Sequence, residues 1–210
     1  CGNSQGYVTL SLAVEDAKKY GMKVVIDDKM PRDLNDISST LTKVKALKPD
    51  LLLLSGHSKG AATGARQIKE MKIDVPMIAL THCEAAKITS KFGASTNDFL
   101  CPTQWAPTLT YKDKYFGTAA DYDKEFKKTF DGYKNVPYQS AQATASVLVW
   151  KDAFERANSL DPEKVRDAIA ATDMETFYGG IKFAPEGNNI AKPMVLRQIQ
   201  NGEYNVVAPS

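Results

Sequence analysis

Residues 51–58 read LLLLSGHS. Four successive leucines leave no polar face, so the run predicts a short parallel strand, Leu51 to Leu54, covered on both faces by helices. The turn that follows it matters as much. In open α/β sheets, ligands settle in the crevice beyond the carboxyl ends of the strands. Here that edge would carry Ser55, Gly56, His57 and Ser58. Two further strands are predicted to end on the same rim. Pro76 to Leu80 runs into Thr81, His82, Cys83 and Glu84, and Asp98 to Cys101 runs into Pro102, Thr103, Gln104 and Trp105. Both histidines of the chain and two of its three cysteines fall on this rim.

Upstream, Leu10, Ala13, Val14 and Ala17 share one face of a predicted helix from Ser4 to Tyr20, with Gly21 as its C′ residue. Lys23 to Ile26 reads as a short β-branched strand. A second helix, Ser38 to Leu47, turns Leu41, Val44, Ala46 and Leu47 inward and is stopped by Pro49. Downstream, helices are predicted from Lys59 to Met71 and from Glu84 to Phe92, the latter ending at Gly93. Strands and helices alternate with short connections, which favours an α/β fold with a doubly wound parallel sheet.

The texture changes after Trp105. Residues 106–116 have no clear period. Helices then dominate, from Thr118 to Phe130 and from Tyr138 to Asn158, and a third opens at Asp161-Pro162-Glu163 and runs to about Ala171. Strands return at Ile181–Phe183, Met194–Ile199 and Tyr204–Val207, the last two joined by the hairpin signal Asn201-Gly202. No strand precedes the first helix, and the helices between Thr118 and Ala171 have no strands to pack on in sequence. The chain reads as the carboxy-terminal part of a two-lobed protein, with helices belonging to a second, incomplete lobe.

Composition bounds the function. With 210 residues, 43% hydrophobic and 25% charged, the chain suits one or two domains with a sizeable core. A net charge of +2 without a basic stripe argues against nucleic acid. No apolar run approaches the length that crosses a bilayer. Cys1 has two readings, the lipid-modified first residue of a mature lipoprotein or a start inside a longer chain or at a processed end, and the second is favoured.

Five segments carry a resemblance: TLTKVKALKPDLLLLSGH, ARQIKEMKIDVPMIAL, CPTQWAP, SLDPEKVRDAIAATDMETFYGGIKF and KPMVLRQIQNGEYNVV. In order and spacing they resemble extracytoplasmic solute-binding proteins of bacterial ABC transporters, of the branched-chain amino acid (leucine/isoleucine/valine) binding type. The resemblance implies a type I periplasmic-binding-protein fold, in which two α/β lobes close on a small solute and deliver it to a membrane permease. It implies a periplasmic or extracellular location, reached through a signal peptide, with lipid anchoring at Cys1 as one form of it. The sequence has no phosphate-type glycine loop and no GxSxG elbow, so neither an enzyme nor a cofactor is expected. Family members are considerably longer; the remainder would be most of the first lobe and the first strand of the second, which lies between the Lys23 and Leu51 strands. On this reading residues 1–104 are a second-lobe α/β domain lacking its first strand. Residues 105–176 are helices returning to the first lobe, and residues 177–210 cross back as terminal strands.

Carried over by position, the resemblance gives ligand contacts. The turn Gly56-His57-Ser58 matches a loop that often bears an aromatic contact, which His57 replaces. Thr81 to Glu84 matches the place where amino-acid binders hold the ligand's ammonium, a role open to Glu84 beside Thr81 and His82. Trp105 would wall the cleft, and Tyr138 and Gln142 open the helix that returns to the first lobe. The TQW pattern is shared with relatives that take other small organic or aromatic acids, so the ligand class is an amino acid or such an acid.

Each residue also has a plainer reading. His57 caps the helix after it, Glu84 is a first-turn carboxylate favoured by the helix dipole, and Trp105 and Tyr138 are core or hinge packing. Cys83 and Cys101 end adjacent predicted strands. Three readings stay open for them: a disulfide, which an extracytoplasmic location permits; a metal site through His57, His82 and Cys83; and two buried, unpaired thiols. The His82-Cys83 pair also invites a nucleophile reading, but no third orienting residue is evident. An incomplete sheet would further allow self-association or completion by a partner chain.

Overall fold

The computed structural model describes residues 13–30 and 35–208. They form two compact units, the first running through Pro102 and resuming at Leu196–Ala208, the second covering Thr103–Val195.

The first unit opens with helix α1, described over 13–19, and Gly21 follows it with φ +74°, as a C′ residue should. The predicted residues 4–12 of that helix lie outside the described residues. Helix α2 (Ser38–Leu47), strand β1 (Leu51–Leu54), helix α3 (Ser58–Glu70), strand β2 (Met77–Leu80), helix α4 (Ile88–Phe92) and strand β3 (Leu100–Thr103) come next. The chain returns from the second unit as β8 (Val195–Gln200) and β9 (Glu203–Ala208), so the sheet runs β1-β2-β3-β8-β9. β1 pairs with β2 in parallel from Leu51↔Met77 to Leu54↔Leu80, and β2 pairs with β3 in parallel. β8 and β9 form an antiparallel hairpin, and its turn residues Asn201 and Gly202 both have the positive φ that a two-residue hairpin turn needs.

Helices α2 and α3 pack on this sheet through Leu41, Val44, Ala61, Ala65 and Ile68, against Leu52, Ile78 and Leu80. The residues of α3 at the contact are small for a reason. A Cβ on Gly64 would come within 2.9 Å of the Leu54 side chain, so glycine lets helix and strand approach closely. The start of α2 is pinned by Gln67, whose Oε1 accepts the Ile37 N–H at 2.7 Å and whose amide donates to Asp36.

Several expectations change here. Lys23 to Ile26 is not a strand: among the described residues no neighbouring strand pairs with it, and β-branched residues alone do not make a ladder. β1 is therefore the sheet's edge. Its leucines alternate, and Leu52 is buried while Leu51 and Leu53 remain 39% and 40% exposed, so only one face of the strand is covered. In α2, Thr40 joins the core in place of Ala46 and Leu47, which face solvent. The helix expected from Glu84 begins only at Ile88, after a run of turns over 81–87. Cys83 and Cys101 are joined in a disulfide, their Cα atoms 6.0 Å apart.

The second unit begins with two short ribbon strands, β4 (Lys112–Asp113) and β5 (Gly117–Thr118), too brief to give the 106–116 stretch a readable period. Helices α5 (Ala119–Thr129), α6 (Tyr138–Ala157) and α7 (Pro162–Ala170) follow, then the hairpin β6 (Asp173–Thr176) and β7 (Gly179–Lys182). The helix ends match their sequence signals. Thr118 and Asp121 form a reciprocal capping box on α5, and Asp161 accepts the Glu163 and Lys164 amides with Pro162 in the first turn of α7. The core is aromatic. Tyr122 stacks on Phe177 at 3.9 Å, and Trp105 meets both edge-on. On the outer face of α6, Val147, Trp150 and Phe154 are exposed, with the last two rings stacked.

Candidate functional site

The carboxyl ends of β1 and β2 are tied to each other. The Thr81 hydroxyl accepts the Gly56 N–H at 2.9 Å and donates to the Gly56 carbonyl at 2.7 Å. One threonine thus closes the two turns into a single rim, so Thr81 and Gly56 are its frame. The register then places the two residues that follow side by side. The His57 and His82 rings lie 5.3 Å apart at a 59° tilt.

The two histidines differ. His57 is exposed at the N-cap position of α3, but its side chain makes no cap bond, so the capping reading fails. No acidic residue sits in the first turn of α3, and the positive end of the helix reaches the rim without a carboxylate on that turn. His82 is partly buried and holds φ +58°, a left-handed conformation that costs a residue with a Cβ about 1 kcal/mol. Its Nδ1 is buried without a partner. Burial pushes the His82 imidazole below its ordinary pKa and the neighbouring His57 adds to this, while a backbone contact at Gly56 opposes them. Ser58 opens an open groove of about 480 Å³ between α3 and residues 85–92, with Lys59, Thr63, Arg66 and Lys91 as its other polar lining.

Glu84 does something other than expected. Its Oε1 sits 2.7 Å from the Arg197 guanidinium on β8, whose plane lies over the Tyr204 ring at 4.7 Å. Arg197 is 5% exposed, so Glu84 is the counter-charge of a buried cation and not a carboxylate held out for a ligand's ammonium. Glu84→Ala is expected to destabilise the fold by about 3 kcal/mol, since it leaves that cation uncompensated. Urea unfolding checks this, and a loss below about 1 kcal/mol would show that the pair matters little.

Cys83, held in its disulfide with Cys101, has no thiolate to give a metal or a substrate. The metal reading through His57, His82 and Cys83 and the nucleophile reading at Cys83 both fall. Among the described residues no group of three metal-ligating side chains is assembled.

The remaining site residues belong to the second unit. Trp105 is 2% exposed and donates its indole N–H to the Phe177 carbonyl at 3.1 Å, so it is a core residue and not a cleft wall. Tyr138 opens α6 half-buried against the same core. Gln142, one turn on, faces solvent, and its backbone carbonyl accepts the Ser146 hydroxyl at 3.0 Å. One cluster escaped the sequence reading. The Lys192 ammonium lies 4.5 Å over the Tyr178 ring and donates to the Gln104 carbonyl, and burial lowers its pKa to about 8. The Tyr178 hydroxyl is buried without a partner, and burial raises its pKa to about 12. Gly179 makes the packing possible: a Cβ there would fall 2.3 Å from the Lys192 Cδ. No periodicity or motif marks these positions, because the contact joins residues far apart in sequence.

Comparison with known proteins places the chain. A family model described as a periplasmic binding protein matches residues 2–203. A leucine-, isoleucine-, valine-, threonine- and alanine-binding protein of Pseudomonas aeruginosa is 25% identical over 175 residues, covering 83% of this chain and 44% of its own length. A leucine-binding protein of Thermotoga maritima superposes with a TM-score of 0.81 at 21% identity, over 97% of this chain and 57% of that one. A solute-binding protein of R. palustris solved with benzoate gives 0.70 at 16% identity, over 92% of this chain and 52% of that one. The chain thus spans about half the length of the relatives it matches.

Proposed function

The chain belongs to the periplasmic binding protein family, and from that premise we propose that it serves as the solute-binding component of an ABC import system. It works outside the cytoplasmic membrane and holds a small molecule between two lobes for delivery to a membrane permease. The division into a second-lobe domain over 1–104, helices over 105–176 and a returning crossing over 177–210 is part of this reading. The solute is an amino acid or a small organic or aromatic acid, the classes found among the relatives' leucine and benzoate ligands. The reading is carried by the rim, where two adjacent parallel strands end in turns that Thr81 locks together and that present His57 and His82 in one place. Gly56, Ser58 and Thr81 frame it. Binding and release, with no chemical step, is the whole activity.

A thermal-shift screen of the full-length protein against amino acids and small organic and aromatic acids tests this. A solute at a hundredfold excess over its Kd adds about 2.7 kcal/mol, which raises Tm by roughly 5–10 °C. A flat screen across both classes would count against solute capture.

A second reading rests on one observation: β1 is an open edge strand with Leu51, Leu53 and Met77 exposed beside it. On this reading the lobe is completed by a second copy or a partner chain and has no independent transport role. Analytical ultracentrifugation separates the two, since a concentration-dependent dimer lost in Leu53→Lys supports completion in trans and a strict monomer opposes it.

A further inference from the structure

We propose that the rim of the first unit receives an acid group, so that the solute is a small carboxylate whose carboxyl end faces His57 and His82, in place of a zwitterion presenting its ammonium there. The inference rests on the solute-capture reading and narrows its ligand class.

An ammonium entering a rim of this kind needs a carboxylate to meet it. On the two turns, 55–58 and 81–87, the only carboxylate is Glu84, and it is already neutralised by the buried Arg197. The other charged groups on the first turn of α3 and on the 81–87 turn are Lys59 and Lys87; further along α3 come Lys69 and Glu70, the latter paired with Arg66. The one carboxylate of β8 and β9 is Glu203, at the hairpin turn beside Asn97, which precedes β3, and so at the end of the sheet away from the rim. The rim is therefore neutral to cationic, and it sits at the positive end of α3.

The histidines supply what an acid needs. The Nδ1 of His82 is buried and unpartnered, a cost that a ligand oxygen at hydrogen-bond distance removes. The left-handed backbone of His82 goes with a ring that lies 5.3 Å from that of His57, so the two imidazoles sit side by side on the rim. In the free protein, burial and the neighbouring ring lower the His82 pKa from its ordinary value, against a backbone hydrogen bond at Gly56. A carboxylate reverses that balance, because an opposite charge at close range favours the imidazolium, which donates from both ring nitrogens. Binding takes up a proton, and affinity rises as pH falls.

The His57 and His82 ring signals can be assigned by NMR in the full-length protein through the His57→Asn and His82→Asn variants. The probes are 4-methylpentanoate (leucine without its ammonium), benzoate and leucine, each titrated calorimetrically at about pH 5.5 and about pH 8. The expected result is binding of at least one of the two carboxylates, about threefold to tenfold tighter at the lower pH, with the His82 ring pKa raised by about one unit at saturation. His82→Asn, which suits the left-handed backbone, should weaken that binding about tenfold and remove its pH dependence. If leucine binds without pH dependence and neither carboxylate does, solute capture stands and this inference is overturned. Carboxylate binding that leaves both rings unchanged also overturns it. If none of the three probes binds, the inference falls, and the wider screen decides the solute-capture reading.

Discussion

Removing the Cys83–Cys101 disulfide is expected to cost the first unit about 3 kcal/mol. The bond spans 18 residues of sequence, and closing a loop of that length restricts the unfolded chain by roughly this amount. The loop holds the end of the 81–87 turn and all of α4, so the bond fastens that turn to the inner strand β3. Both sulfurs lie in the core, Cys83 at 2% and Cys101 at 0% exposure, so reductant should act slowly on the folded protein and quickly once urea opens it. A Cys83→Ala/Cys101→Val double variant preserves the apolar packing and isolates the cross-link. Its urea midpoint should match that of the reduced wild type. Because His82 is the residue before Cys83, the same loss should also loosen the rim and weaken solute binding. A change in stability below about 1 kcal/mol would mean that the packing of α4 alone fixes this segment.

Trp105→Ala should be more damaging still, destabilising the second unit by about 3–5 kcal/mol. The indole contributes its buried area, its bond to the Phe177 carbonyl and edge contacts to two rings. Trp105→Phe keeps an aromatic ring in the cluster and gives up the bond to Phe177, so it should lose about 1–2 kcal/mol. The chain has only two tryptophans, and Trp150 is exposed, so the blue-shifted part of the emission reports on Trp105. Thermal unfolding followed at that wavelength checks both variants. If Trp105→Ala folded with near-wild-type stability and lost solute binding alone, a wall of the cleft would be the better description of this residue.

Local chemistry was the legible part of the sequence. Asp161-Pro162-Glu163 fixed the start of α7, Asn201-Gly202 the last hairpin, and Pro49 the end of α2, because caps and turns act within a few residues. The resemblance to solute-binding proteins, read from five segments, is borne out by the family match and by the folds of the relatives. The strand at Leu51 was also legible, but its neighbours were not. Four leucines state that a strand is apolar and leave open which face another layer covers, and here Leu51 and Leu53 stay in contact with solvent. Lys23–Ile26 failed for a related reason, since a strand exists only with a partner. The roles of Glu84 and Trp105 were hidden by distance. Arg197 lies 113 residues from Glu84 and Phe177 lies 72 residues from Trp105, and nothing in either local sequence announces the pairing. The meeting of His57 and His82 was readable in outline because both follow the ends of adjacent strands.

The measurement that bears most directly on solute capture at this rim is hydrogen–deuterium exchange of the full-length protein, with and without the solute that gives the largest thermal shift. The account predicts slowed exchange at Gly56 to Ser58 and at Thr81 to Cys83 together, because Thr81 couples the two turns. A solute that stabilises the protein while both turns exchange as fast as before would contradict it.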